Sequence, residues 1–572
     1  MCLIDYFVLS GAEMSNSLLN GVSLVQGDQS APLKEKTIAE ELLAAVSSWG
    51  DREFLYFYKQ DIRLTYREFS ERVDNLARGL AELGLKKGER VGIWSQNRLE
   101  WVLVQFATAR LGLVLVNINP ACRLRELDHI LSQVDCSAII FSDRSKFTNY
   151  FEMVTTLIPQ LLDDSLSPHL NYSSLRFVIR MGNELIGNIL SLQKIIADGE
   201  ESHYPLDDIL PLLHRDDPVN IQFTSGTTGQ AKGATLSHFN ILNNASNVTA
   251  RMNFGPGDRL CLPVPLYHCF GMVLGVLGCL SKGASIVFPA ERFTPKTTLK
   301  VIEQEACTAL YGVPAMYISM LSVPSFALFN LSSLRTGIMA GAPCPIEVMR
   351  EVVGRMHLSE ITIAYGMTET SPVSFQSEVS DSLKNRVTTV GRVHPHVQVK
   401  LVSKEGKTVP VGVTGELWTR GYSVMCGYWA DPERTAESIQ DGWMRTGDLA
   451  VLDEEGYCSI VGRLSDMILR CGENIYPREI ENYLYGHPAI QEVQVFGIPD
   501  PRLGEELCAW IIVRPEHSLE KSDIRQFCRG KIASYKIPHH ISFVDEMPMS
   551  VTGKPQKFKM RAQMCAQLGL TV

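Results

Sequence analysis

Apolar and polar positions alternate in blocks along the first quarter of the chain. Residues 91–95 form a short apolar run and residues 100–111 are a longer, helix-like stretch. Residues 113–118 are again apolar, 124–133 return to the helical period, and 138–141 close the series. Short apolar runs separated by helical patterns predict strands alternating with helices, and therefore a parallel α/β architecture. Upstream, residues 37–84 read as helical at both ends around a strand-like 54–58. Residues 143–215 lose the pattern and read as Leu-rich helical pieces joined by polar loops. Beyond them, 220–223 read as the end of a strand and Ser237 as the cap of a helix. Further buried strands are expected at 259–265, 284–288, 307–313 and 361–364. The tail changes character. Strands at 493–498, 508–513 and 541–544 with a helix at 521–532 suit a small α+β lobe, of a size (~100 residues) ordinary for a domain.

At 572 residues the chain has room for several such units. Its 54 basic and 63 acidic residues, with no long run of either sign, argue against a generic nucleic-acid binder. Fourteen cysteines without a C-x-x-C pair point to reduced, partly buried thiols rather than disulfides or a zinc site. No transmembrane segment is read: the longest apolar region, 101–118, is broken by Gln105, Arg110 and Asn117. The first basic residue is Lys34, while Asp5, Glu13 and Asp28 precede it, so no Arg-rich targeting helix is visible.

Chemistry concentrates in one stretch, Thr224-Ser225-Gly226-Thr227-Thr228-Gly229-Gln230-Ala231-Lys232-Gly233. Glycines let backbone N–H groups approach an anion, hydroxyls donate further hydrogen bonds, and Lys232 adds a mobile positive charge. The composition fits a phosphate cradle and equally a flexible surface loop. It is not the Walker A pattern, because Gly226 and Gly229 lie too close and Lys232 is followed by glycine. A second stretch, Tyr365-Gly366-Met367-Thr368-Glu369, follows an apolar strand. It can stack a base through Tyr365, bind phosphate through Thr368 and hold Mg²⁺ through the single carboxylate of Glu369.

These stretches, with Gly341-Ala342-Pro343, Gly415-Glu416-Leu417-Trp418, Thr446-Gly447-Asp448, Gly462-Arg463 and Thr552-Gly553-Lys554 in that order, resemble the adenylate-forming superfamily: acyl-CoA synthetases, aryl-CoA ligases, luciferases and peptide-synthetase adenylation domains. Asn220-Ile221-Gln222-Phe223, Pro265-Leu266-Tyr267-His268-Cys269 and Gly472-Glu473-Asn474-Ile475-Tyr476-Pro477 resemble the medium-chain acyl-CoA ligase branch. The resemblance implies a large N-terminal AMP-binding domain of packed α/β subdomains (34–464), a mobile C-terminal domain (465–572), and a poorly ordered extension (1–33). It implies ATP, Mg²⁺ and CoA as cofactor and substrates, and a fatty acid as the acid activated. Gly341, Ala342 and Pro343 would flank adenine, and Asp448 would hold the ribose diol, since a carboxylate accepts two hydrogen bonds at once. Arg463 would add a ribose or phosphate contact. His268 and Phe270 would line the acyl site, and Lys554 would be the catalytic lysine. Ser465 would be the hinge, where most relatives carry Lys or Asp, and Gly472, Glu473 and Asn474 would form the CoA side. Matrix enzymes of mitochondria populate this branch, whereas the acidic N-terminus suits a cytoplasmic location. Two other classes stay open: an adenylating enzyme with another acid or acceptor, and a silent nucleotide-binding regulator.

Overall fold

The computed structural model describes residues 21–143, 148–162, 172–183, 186–224, 231–342, 344–471, 473–549 and 555–570. Strands Arg90–Trp94, Val114–Ile118 and Ala138–Phe141 pair in parallel, with helices Leu99–Leu111 and Leu124–Val134 between them, as the block pattern predicts. Strand Pro218–Thr224 extends the same sheet in parallel, and Lys232–Ser237 turns back antiparallel on it. These strands belong to an eight-stranded sheet. A nine-stranded sheet is built around Arg259–Cys261, Ser285–Phe288, Ala309–Gly312, Thr336–Ala340 and Glu360–Gly366, again parallel, with Glu53–Phe57 at one side.

Helix Leu99–Leu111 is buried at every position, so it has no polar face to show as an amphipathic stripe. It lies in one core that takes side chains from both sheets, Val91 and Ile93 from the first and Leu260 and Ile286 from the second. Ser237 caps helix His238–Arg251, its hydroxyl accepting from Asn240 N. A six-stranded antiparallel sheet follows, including Val397–Val402, Gly415–Gly421, Trp443–Leu452 and Cys458–Arg463. The tail is a five-stranded sheet with helices Pro477–Leu484, Lys521–Cys528 and Lys557–Leu568. Its apolar clusters draw only on residues after 467, so this lobe has cores of its own.

Several expectations change. Residues 21–33 of the expected disordered extension are described, and Leu24–Gln26 forms a strand paired with Val397–Val402, with Val25 fully buried. Residues 1–20 lie outside the described residues. The strand expected over 259–265 ends at Cys261, because Pro263 and Pro265 cannot donate to a ladder. The helix expected over 521–532 ends at Cys528, where Arg529 turns extended and Gly530 takes φ +70°. Strand Phe177–Arg180 stands where only loops and helices were expected. Thirteen described cysteines are free thiols, most of them buried. Among the described residues no helix is long and apolar enough to cross a membrane.

Candidate active site

Parallel strands end together, and the groups that follow them crowd into one crevice. Gly312 pairs with Met339 and Ala340 with Ala364, so the ends of Ala309–Gly312, Thr336–Ala340 and Glu360–Gly366 are level. The carboxyl ends of such strands are where open α/β sheets bind ligands. Gly341 follows the middle strand with φ +87°, a conformation that favours glycine. Ala342 is half-buried beside it, and Pro343 lies outside the described residues. Gly366 has a packing reason of its own: a Cβ there would fall 1.7 Å from the Pro372 carbonyl oxygen.

The two large sheets meet at Glu369. Its carboxylate, 5% exposed in a short turn Thr368–Thr370, accepts at Oε1 from the Thr224 hydroxyl at 3.2 Å and from the Tyr428 hydroxyl at 2.9 Å. Thr224 is also the register partner of Lys232 across the antiparallel pair. The Lys232 ammonium lies 5.0 Å from the Tyr428 ring centre. Burial, with Glu369 beside it, pushes the Tyr428 phenol above its ordinary range, so it stays a neutral donor. Ala231 is described, while Ser225, Gly226, Thr227, Thr228, Gly229 and Gln230 lie outside the described residues. Tyr428 is not among the residues singled out in the sequence. Its place between Lys232 and Glu369 gives it a part in the site, and the aromatic in Gly427-Tyr428-Trp429 was the available signal.

A second polar cluster joins the strand that leads to Glu369 with the six-stranded sheet. Tyr365 donates its hydroxyl to Asp448 Oδ2 at 2.6 Å, and Arg463 Nε lies 3.1 Å from Asp448 Oδ1. Asp448 and Arg463 are register partners in adjacent strands, which fixes the pair. Burial first, then the Asp448 charge, holds the Tyr365 phenol well above its usual range. The nearby Asp448 charge holds the Arg463 guanidinium above its own. Both oxygens of Asp448 are thus occupied, while the Arg463 side chain remains 55% exposed. An acid oriented in this way, beside an aromatic ring, can take a sugar diol as those partners shift.

His268 and Phe270 lie on the loop and helix after Cys261. Phe270 is half-buried and its ring is stacked near Tyr311, centres 5.7 Å apart. The His268 ring packs on Tyr267 at 4.4 Å. The segment Phe270–Leu277 is a π-helix, an uncommon winding that recurs at functional sites. No sequence period announces it, because Gly271 to Leu277 is buried on all sides.

The small-lobe residues stand differently. Ser465 is exposed in the turn Leu464–Asp466, its hydroxyl 3.3 Å from Asp466 Oδ1. Glu473 and Asn474 are exposed on a hairpin with Ile468–Arg470, and Gly472 and Lys554 lie outside the described residues. Helix Pro477–Leu484 packs against strand Cys458–Arg463, bringing Arg478 within the influence of Cys344 and Asp448.

Residues 42–429 match the family model described as AMP-binding enzyme, and residues 479–554 match its C-terminal domain. Among curated relatives, the mitochondrial medium-chain acyl-CoA ligase ACSF2 of Danio rerio is 45% identical over 557 residues, covering 96% of this chain and 91% of that protein. Among solved structures, the anthranilate CoA ligase AuaEII in complex with anthranoyl-AMP superposes with a TM-score of 0.84 at 26% identity, over 94% of this chain and 99% of that one. ATP-bound MatB from Rhodopseudomonas palustris gives a TM-score of 0.79 at 27% identity, over 92% and 98%.

Proposed function

Because the chain belongs to the AMP-binding enzyme family, we propose that it activates a medium-chain fatty acid as an acyl adenylate and passes the acyl group to CoA. It is an ATP-dependent, AMP-forming acid–thiol ligase. The observation that carries the reading is that two bonded groups, Thr224, Lys232 and Glu369 on one side and Tyr365, Asp448 and Arg463 on the other, meet on the segment from Tyr365 to Glu369, and their motifs follow the order of such ligases.

In the first step a carboxylate oxygen of the acid attacks the α-phosphorus of ATP, and the bond to pyrophosphate breaks. Negative charge grows on phosphate oxygens, so positioned donors lower this barrier most. Lys232, the hydroxyls of Thr224 to Thr228 and Lys554 are assigned to that charge, and Asp448 with Arg463 to the ribose. Tyr365 and the turn Gly341-Ala342-Pro343 are assigned to the base, and Gly366 and Thr368 to the phosphate side. Gln230 and Ala231 complete the cradle. The residues fit Mg²⁺: Glu369 has one oxygen without a hydrogen-bond partner among the described residues. No cluster of three acids, histidines or cysteines that could cage a metal occurs among the described residues, so phosphate oxygens and water would complete its shell. Bound there, Mg²⁺ supplies charge neutralisation at the phosphates.

In the second step the CoA thiol attacks the acyl carbon, the C–O bond to phosphate breaks and AMP leaves. Glu473 and Asn474 face solvent here, and rotation of the small lobe about Ser465 would turn that face to the crevice, with Gly472 assigned to the same CoA side. The domain division at 464/465 follows from that pivot, and the ACSF2 relatives support a mitochondrial location.

The test is a panel of acids from butyric to stearic, with ATP, Mg²⁺ and CoA, reading pyrophosphate and AMP separately. Octanoic and decanoic acids should give pyrophosphate with acid alone and AMP release on addition of CoA. CoA-independent AMP release would point to another acceptor, and no pyrophosphate with any acid would point to a silent nucleotide binder.

A further inference from the structure

The loop that carries His268 runs through Pro263, Val264, Pro265, Leu266, Tyr267 and Cys269 after its strand has ended. Its peptide groups have no ladder to join, yet they are buried, and buried backbone groups must be paired. Three amide side chains meet that need, Asn117 and Gln222 from strands of the eight-stranded sheet and Asn97 from the loop after its strand Arg90–Trp94. Asn97 accepts from Leu266 N at 2.9 Å and donates to the Val264 carbonyl at 2.9 Å. Asn117 donates to the Tyr267 carbonyl at 3.2 Å. Gln222 accepts from Cys269 N at 3.1 Å. That last bond fixes the first residue before the π-helix of Phe270, where the loop has no cap of its own.

The amides are also joined to one another. Gln222 Nε2 donates to Asn220 Oδ1 at 2.9 Å, and Asn220 Nδ2 donates to Asn117 Oδ1 at 3.0 Å. Gln222 and Asn117 each direct an amide nitrogen at the Met272 sulfur, at 3.3 and 3.2 Å. Asn117, Asn220 and Gln222 are no more than 3% exposed, so a broken bond would leave a buried polar group unpaired. Asn220, Gln222 and Thr224 alternate along one strand and share one face of it. Gln222 holds the His268 loop directly, Asn220 links it to Asn117, and Thr224 touches Glu369.

We propose that Gln222 is a positioning residue that sets the mouth of the acyl site against the phosphate site, by holding the Cys269 peptide at the start of the Phe270 helix. The inference rests on the reading that His268 and Phe270 line the acyl site. Gln222 touches neither the acid nor ATP; it fixes the distance between the two groups that do. Losing it displaces the acid and leaves the nucleotide in place.

Three variants test this in the full-length enzyme, with KM for octanoate and for ATP measured separately by pyrophosphate release. Gln222→Leu keeps the bulk and removes all three bonds, so KM for the acid should rise by about tenfold while KM for ATP stays within about twofold. Gln222→Glu carries an acceptor for Cys269 N at every pH, but donates to Asn220 only when protonated. Its acid KM, relative to the parent at the same pH, should therefore fall towards one as pH is lowered. A purely structural role would lower the melting temperature without that pH-dependent recovery. Phe270→Ala is the check on the underlying reading: it should raise the acid KM. If Phe270→Ala leaves the acid KM unchanged, the acyl-site reading fails and the proposal with it. If Phe270→Ala raises it while Gln222→Leu leaves the acid KM at the parent value, or while Gln222→Glu raises the acid KM without recovery at low pH or raises both KM values together, the positioning role is overturned and the acyl-site reading stands. The glutamate variant keeps the question decidable even if the leucine variant does not fold.

Discussion

On the large lobe, Thr224 and Tyr365 lie at the ends of strands in the two large sheets, Glu369 in the buried turn that follows and Asp448 within the six-stranded sheet, with Thr224 bonded to Glu369 and Tyr365 to Asp448. On the small lobe, Glu473 and Asn474 sit on an exposed hairpin, and one exposed turn around Ser465 joins the lobes. The first group is preorganised by packing, which is what stabilising charge on phosphate requires. The second lacks such anchoring, which is what a surface needs if it is to serve two successive steps. Rigidity is spent where charge develops, and freedom is kept where the partner changes.

The sharpest way to break that contrast is Lys554→Ala. It should slow acyl-adenylate formation by ~100-fold or more, as when a preorganised donor is removed, and still convert supplied acyl adenylate to thioester. Equal losses in both half-reactions would place Lys554 with the fixed group. Next in size is Ser465→Pro, because proline fixes φ near −65° and biases the preceding Leu464. Thioester formation should slow by about tenfold, a barrier increase of ~1.4 kcal/mol, with pyrophosphate release nearly unchanged. Normal transfer would move the pivot elsewhere.

A smaller effect tests the fixed group from inside. Tyr428→Phe deletes one of the two bonds to Glu369 Oε1 and keeps the ring under Lys232. Losing a hydrogen bond to a charged group predicts roughly a tenfold or smaller drop in adenylation, with no change in transfer from supplied acyl adenylate. A drop in transfer instead would detach Tyr428 from the phosphate end. Least visible in activity at neutral pH is His238, fully buried at the start of the helix after the Lys232 strand, where its Nδ1 accepts from Ile38 N at 3.1 Å. Burial pushes it from 6.5 down to about 4, with Asp217 and Lys87 as the charges beside it. The unfolded chain therefore takes up a proton that the folded chain refuses. Stability is complete above pH 6.5 and is lost as pH falls towards 4, by roughly 3 kcal/mol at most. His238→Asn, which keeps an acceptor, should flatten that part of the unfolding profile measured by denaturant titration. A parent profile already flat there would show that the fixed half is looser than its burial indicates.

Where the chain repeats a simple period, the sequence predicts the fold closely: the strands and helices between residues 90 and 141 follow it within a residue or two. The period fails where burial is complete. Helix Leu99–Leu111 was legible by its length between two strands, whereas the π-helix at Phe270–Leu277 has neither an amphipathic stripe nor a 3.6-residue repeat to read. Thr224, Lys232, Tyr365, Glu369, Asp448 and Arg463, which the structure brings together, stood out in the sequence because their motifs occur in order. The amides beneath the His268 loop did not, since Asn117 and Gln222, linked through Asn220, look like polar interruptions in apolar strands until the loop is seen.

Strand Leu24–Gln26 lies at the margin of the six-stranded sheet, zipped along Val397–Val402 by backbone pairing. For anyone preparing the protein, that makes the N-terminal region a protective selvedge rather than trimmable slack. A truncation starting near residue 34 would bare a row of unsatisfied amides and carbonyls along Val397–Val402, the kind of open border on which chains add to one another. Such a product would be expected to self-associate with its catalytic crevice intact. Poor solubility after N-terminal cropping would then report a frayed hem and not a misfolded enzyme.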